Sequence, residues 1–247
     1  MAWQQLQTGW TDLTITTQDV TSGSVVDNVT DLVSNLVEVW GDVAATTAAD
    51  FFDEMRDRAG ASGAFTAVLA DPAPRDQVAG TVRWALDPWA QAVTVGGGYD
   101  PQTGAELPGQ RQLPDELDLE RMLGKLQGPL QRLIRQTGRQ TIDQSVRLDP
   151  ARPRVARVPM GAETCAFCIV LASRGPVYRS VSSAGHDTKY HDFDDCEQVV
   201  VWGSTDELPE GYDPGELYGK YEDAKAAAGT SDLRGILREL RLQQGLR

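Results

Sequence analysis

All three cysteines and both histidines of this 247-residue chain lie between Cys165 and Cys196, and this cluster limits the fold more than any other feature. Cys165 and Cys168 are two residues apart, and much later His191 is followed by Cys196 after four more. A two-residue gap lets both thiolates of a tight turn reach one tetrahedral centre, and a distant second pair closes the other half. The spacing predicts a structural zinc site with Cys165, Cys168, His191 and Cys196 as ligands. Asp192, Asp194 and Asp195 can supply a carboxylate where a thiolate is lost. Other uses stay open. Cys165 and Cys168 can be small buried residues of a helix starting near Thr164, or structural cysteines in a disulfide. A redox pair is a further option, although no thioredoxin-like strand precedes it. His186, following Gly185, reads as a loop residue.

Compartment bears on that choice. The opening MAWQQLQTGW lacks the basic and apolar regions of a signal peptide, and no apolar run approaches the roughly 20 residues that span a bilayer. The expectation is folding in a reducing cytoplasm, where paired cysteines are more often metal ligands than disulfides, with no membrane partner. At a mean hydropathy of -0.35 the chain can bury one large core or two small ones.

Charge is unevenly placed. The net charge is -13, and residues 1–60 hold ten acids against Arg56 and Arg58. Residues 121–157 hold nine arginines and lysines against Asp143 and Asp149. The chain can therefore present one basic face within an acidic whole, either as a solvated helix face or as a DNA contact through Arg132, Arg135 and Arg139.

Periodicity supplies the architecture. Residues 1–28 read as an extended arm anchored by Trp3 and Trp10. Asp27 or Asn28 can cap a helix of about 30 residues, with Val29, Leu32, Val33, Leu36, Val37 and Trp40 at three- and four-residue steps. A second helix follows Pro74, and residues 95–113 read as a mobile loop. Pro114 and Asp115 open a long helix that Gly128-Pro129 should kink and Asp149-Pro150 should end. Arg154 to Val158, Pro176 to Arg179 and Glu197 to Trp202 are strand candidates. These divisions give an arm (1–28), a helical region (29–150), a small α+β Cys/His module (151–203), and an acidic linker with two C-terminal helices (204–247). The fold class is α+β and mainly helical. The final helix, with Leu233, Ile236, Leu237 and Leu240, either docks on the body or binds a partner in a groove.

The stretch ARVPMGAETCAFCIVLASRGPVYRS, followed by AGHDTKYHD and an acidic pair before Cys196, resembles the phage Mu F-type minor head proteins, in the versions carried by phages of actinobacteria. The matching positions are Arg157, Val158, Pro159, Gly161, Thr164, Cys165, Phe167, Cys168, Ala172, Ser173, Arg174, Gly175, Tyr178, Tyr190, His191 and Cys196. Asp194 stands where that family usually has a further cysteine, and Phe193 where a second histidine is common. Replacing sulfur by oxygen weakens a soft site's hold on zinc. The resemblance covers about 50 residues closely. It implies a MuF-like minor capsid protein of the virion, made in the host cytoplasm, acting in head morphogenesis inside the capsid, with portal and major capsid or scaffold proteins as partners. Two other functions are weighed against it. A capsid maturation protease would need Ser173, His186 or His191, and an aspartate from 187–195 to form a triad, but no nucleophile elbow is present. A zinc-stabilised nucleic-acid module would use the basic helix on phosphates.

Overall fold

The computed structural model describes residues 16–88, 92–161, 164–178, 196–203 and 208–246. Trp3, Trp10, His186, Tyr190, His191, Phe193, Asp194 and the aspartates 187–195 lie outside the described residues. Two compact units emerge, one from Met1–Trp40 with Pro72–Ile134, the other from Gly41–Asp71 with Arg135–Arg247. The two longest helices each give their first part to one unit and their remainder to the other.

In the first unit, Thr16 caps a short helix α1 (Thr17–Thr21) through a reciprocal capping box with Asp19. Helix α2 (Ser24–Arg58) begins several residues before the predicted Asp27 or Asn28. Val25 and Val26 extend its apolar stripe, which accounts for the earlier start. Helix α3 (Arg75–Ala85) starts after Pro74 as the sequence predicts. Val29, Val33 and Val37 of α2 pack with Val78 and Val82 of α3 and with Met122, Leu126, Leu130 and Leu133 of α4 (Leu119–Leu148). Helix α4 begins later than Pro114, because residues 115–116 instead bond α1: Thr17 N–H donates to Asp115 O, and Thr16 bridges Glu116. It continues through Pro129 as one helix.

Residues 95–113 differ from the predicted loop. Strand β1 (Val93–Val95) pairs antiparallel with β4 (Gln110–Gln112), and β2 (Gly98–Tyr99) with β3 (Glu106–Leu107). Gly96 and Gly97 take positive φ between the two ladders, a conformation open to glycine at little cost. At the tip, Asp100 accepts hydrogen bonds from the backbone N–H groups of Gln102 and Thr103. Few apolar residues mark these strands, so the pairing leaves little trace in the hydropathy pattern.

The second unit contains the cysteine module. Strand β5 (Arg154–Pro159) pairs antiparallel with β6 (Cys196–Val201) in a register running from Arg154↔Val201 to Pro159↔Cys196. Among the described residues of the candidate Pro176 to Arg179, Tyr178 joins by a single bridge to Val155. Helix α5 (Ala166–Ala172) follows β5, and helices α6 (Pro214–Ala228) and α7 (Leu233–Gln244) complete the chain. Asp213 and Asp232 cap α6 and α7, and Gly229 and Gly245 end them in left-handed geometry. The architecture is thus mainly helical α+β, with three two-stranded sheets among the described residues.

Candidate functional site in the cysteine module

The β5–β6 sheet divides two apolar clusters. Val155 and Val200 pack toward Phe52, Ile142 and Val146, while Ala156 and Val158 pack toward Ala172 and Tyr212. Both faces of β5 are therefore covered, which explains a burial pattern that leaves only Arg154 exposed and Pro159 half-buried. Helix α5 rests on α6 and α7 through Ala166, Ile169 and Val170 against Ala224, Ile236 and Leu240. Of the two alternatives for the last helix, the structure selects docking on the body.

The C-terminal end of α5 is held by two phenols. Tyr178 Oη donates to Leu171 O at 2.9 Å, and Tyr212 Oη donates to Ala172 O at 2.6 Å. Each carbonyl also accepts a backbone N–H from just past the helix, Leu171 O from Arg174 and Ala172 O from Gly175, so the tyrosines add a second bond at each group. Burial pushes the Tyr178 phenol up, against the pull of Arg174 and Arg157. Burial, assisted by Tyr178, pushes Tyr212 up to about 12. A phenol whose folded pKa is raised contributes stability below its unfolded value of about 10, and that contribution is lost as pH rises through about 12. Tyr212→Phe should cost about 0.5–1.5 kcal/mol near neutral pH. It should also flatten the alkaline loss of stability between about pH 10 and 12. Chemical denaturation at both ends of that window tests this, and an unchanged alkaline slope would refute it.

The predicted ligands are only partly brought together. Cys165 is half-buried at the N-cap of α5, where its Sγ accepts the Cys168 N–H at 3.2 Å. Cys168 and Cys196 are fully buried and their sulfurs lie against each other, with Cα atoms 6.5 Å apart. His191 lies outside the described residues. Among the described residues no group of three His, Cys, Asp or Glu side chains could hold a metal ion. The donor types of Cys165, Cys168 and Cys196 suit zinc.

Ser173 is buried, and its hydroxyl donates to Val170 O at 2.9 Å. Arg139, predicted on an exposed basic face, is instead 5% exposed and donates to Cys196 O at 2.8 Å. Although it shares a helix face with Arg135, its bond to β6 covers it, and it cannot serve as a surface phosphate contact. Arg135 stays exposed and Arg132 half-buried. Glu197 lies 3.8 Å from Arg139 and 4.0 Å from Arg135.

Several polar residues escape the sequence patterns. Arg157 is fully buried on β5 opposite Gln198, whose amide donates to Asp143 at 3.0 Å. The alternation of arginine and valine in β5 signals a strand, but not that both its faces are covered. Beside this layer a cleft of about 460 Å³ opens between α2 and α4, with β6 as a third wall. Ala44, Ala48, Phe51, Ile142, Met160 and Val199 give it an apolar lining. Gly138 lets the helices approach, since a Cβ there would lie 3.0 Å from Ala44 O.

A family model described as "VG15 protein" matches residues 1–224. The chain belongs to the VG15 protein family. A relative of this VG15 protein, the Gene 15 protein of Mycobacterium phage D29, is 47% identical over 58 residues, 22% of this chain and 21% of that protein. The match thus spans about a fifth of the relative's length. No solved structure matches the chain. The family and the relative together point to a bacteriophage protein. No helix among the described residues is long and apolar enough to cross a membrane.

Proposed function

We propose that this VG15 family protein is a MuF-like minor capsid protein, acting in head morphogenesis inside the capsid near the portal. The observation that carries the reading is the run of matched positions from Arg157 to Cys196, in a chain whose relative is a phage protein. The cleft supports an assembly role. Phe51 and Met160 at its walls are 44% and 66% exposed, and large apolar side chains gathered beside an apolar groove mark an interaction surface. Portal, major capsid or scaffold protein is the expected occupant. DNA contact narrows to Arg132 and Arg135, since Arg139 is buried.

Heads assembled from the portal and major capsid proteins, with and without this chain, test the reading by denaturing mass spectrometry. The expected result is full-length capsid protein in both preparations, with this chain intact at low copy number. Phe51→Glu with Met160→Glu should remove it from heads while leaving its thermal unfolding unchanged. Capsid protein shortened only when this chain is present would overturn the structural role and establish a maturation protease.

A further inference from the structure

Positive charge gathers in the second unit where α4 turns into β5. Arg147, Arg152 and Arg154 fall within eight residues of chain, and all three are exposed. Among the described residues, none of the three side chains has an ion pair or a hydrogen bond. The acid inside the stretch, Asp149, is buried and its charge is committed to Arg56. The backbone beneath the arginines is fixed. Asp149 Oδ1 accepts the Ala151 N–H at 2.8 Å, Asp149 O accepts the Arg152 N–H at 3.0 Å, and Arg154 opens the β5–β6 ladder opposite Val201. Arg147 has a local explanation, since a cation in the last turn of a helix offsets the negative end of its dipole. Arg152 has none. Its φ is +53°, the one positive value of a non-glycine residue among those described, in a region where glycine costs least. An arginine held there against the preference of its backbone points to a use for the side chain.

We propose that Arg147, Arg152 and Arg154 form a docking patch for the phosphodiester backbone of duplex DNA, bound without regard to sequence. Guanidinium groups fork onto phosphate oxygens through paired hydrogen bonds, which a compact ammonium cannot do. Three of them on one short, braced stretch need closely spaced anions, and a duplex carries one charge per roughly 1.7 Å of its axis. An acidic protein surface is the weaker candidate, because protein–DNA interfaces are much more positively charged than protein–protein ones. The patch is distinct from Arg135. Twelve residues of α4 separate Arg135 from Arg147, about 18 Å along the axis and about 120° around it. With a net charge of -13 the chain as a whole repels a polyanion, so the contact is local and weakens steeply with salt. The patch rests on this geometry alone and is independent of the cleft and of the head-protein reading.

The test titrates the full-length chain into a fluorescein-labelled DNA duplex of mixed sequence and reads anisotropy between about 50 and about 200 mM KCl. With one phosphate neutralised per arginine, the slope of log K on log salt should be shallower by about 2.7 in the triple variant Arg147→Ala, Arg152→Gly, Arg154→Ala. The ratio of wild-type to variant affinity should accordingly grow about 40-fold as KCl falls across that range. Arg152→Gly alone should make the slope shallower by about 1, and it keeps the fold because glycine takes the same φ without strain. The same differences should appear in an Arg132→Ala, Arg135→Ala background, which separates this patch from the helix face. No duplex binding by the wild type at about 50 mM KCl, equal slopes in the wild type and the triple variant, or binding to poly-glutamate as tight as to the duplex would overturn the proposal.

Discussion

Asp149→Ala is expected to cost about 3–5 kcal/mol, because it leaves a buried guanidinium without its counter-charge. Arg56 Nε lies 2.9 Å from Asp149 Oδ2, and the two side chains are 6% and 0% exposed. The carboxylate also accepts from Trp202 Nε1 and from the backbone N–H of Ala151, both at 2.8 Å. Arg56 in turn donates to the carbonyls of Ser62 and Gly63, so one ion pair fastens the end of α2, the turn after it, the turn after α4 and the end of β6. Burial alone would raise the pKa of Asp149. The hydrogen bonds from Arg56, Trp202 and Ala151, with the Arg56 charge, outweigh it and hold the carboxyl below its ordinary value. A depressed folded pKa contributes stability above the unfolded value of about 3.9 and loses it as pH falls through the folded one. Asp149→Asn should therefore unfold more easily than the wild type at pH 7, with the gap closing below about pH 4. Denaturant titrations across that range measure it. An equal penalty at both ends would show that shape, not charge, makes the site.

That cluster also marks where the sequence stops being informative. Asp149-Pro150 is legible as a helix stop, and α4 does end at Leu148. An acid just past a helix C-terminus is electrostatically disfavoured by the helix itself, so its place needs a partner, and that partner is 93 residues away. Hydrophobic periodicity reports local faces, which is why α2, α3, β5 and β6 are recoverable from it. Arg139 and Arg157 fail under the same logic. A long cationic side chain on a helix or strand reads as solvent-facing until tertiary packing covers it. The hairpin ladders between Val93 and Gln112 fail for another reason. They are only two or three residues long, leaving glycine as their main mark. Of the candidate site, the sequence brings Cys168 and Cys196 into one module, but the contact between their two sulfurs is a matter of tertiary packing.

Adjacent phenylalanines in α2 give the sharpest test of helix register. Phe51 is 44% exposed on the cleft, whereas Phe52 is fully buried, edge-on to Phe65 at 6.0 Å and to Trp202 at 5.0 Å between ring centroids. Phe52→Ala should cost about 3–5 kcal/mol, through lost burial and a cavity that the surrounding rings cannot close. Phe51→Ala should stay within about 0.5 kcal/mol, having little packing to lose. Composition and periodicity cannot separate the pair, since one step around the helix moves a side chain by only about 100° and both could border an apolar stripe. Phe52 also braces the indole that donates to Asp149, so its loss should loosen the acid's hydrogen bond as well as the core. A double-mutant cycle of Phe52→Ala with Asp149→Asn should therefore show a coupling of about 0.5–3 kcal/mol, whereas independent sites would add. Strict additivity would mean that the aromatic cluster and the buried ion pair support the second unit separately. Coupling would mean that the end of β6 is held by one device, in which the rings fix the indole and the indole fixes the charge.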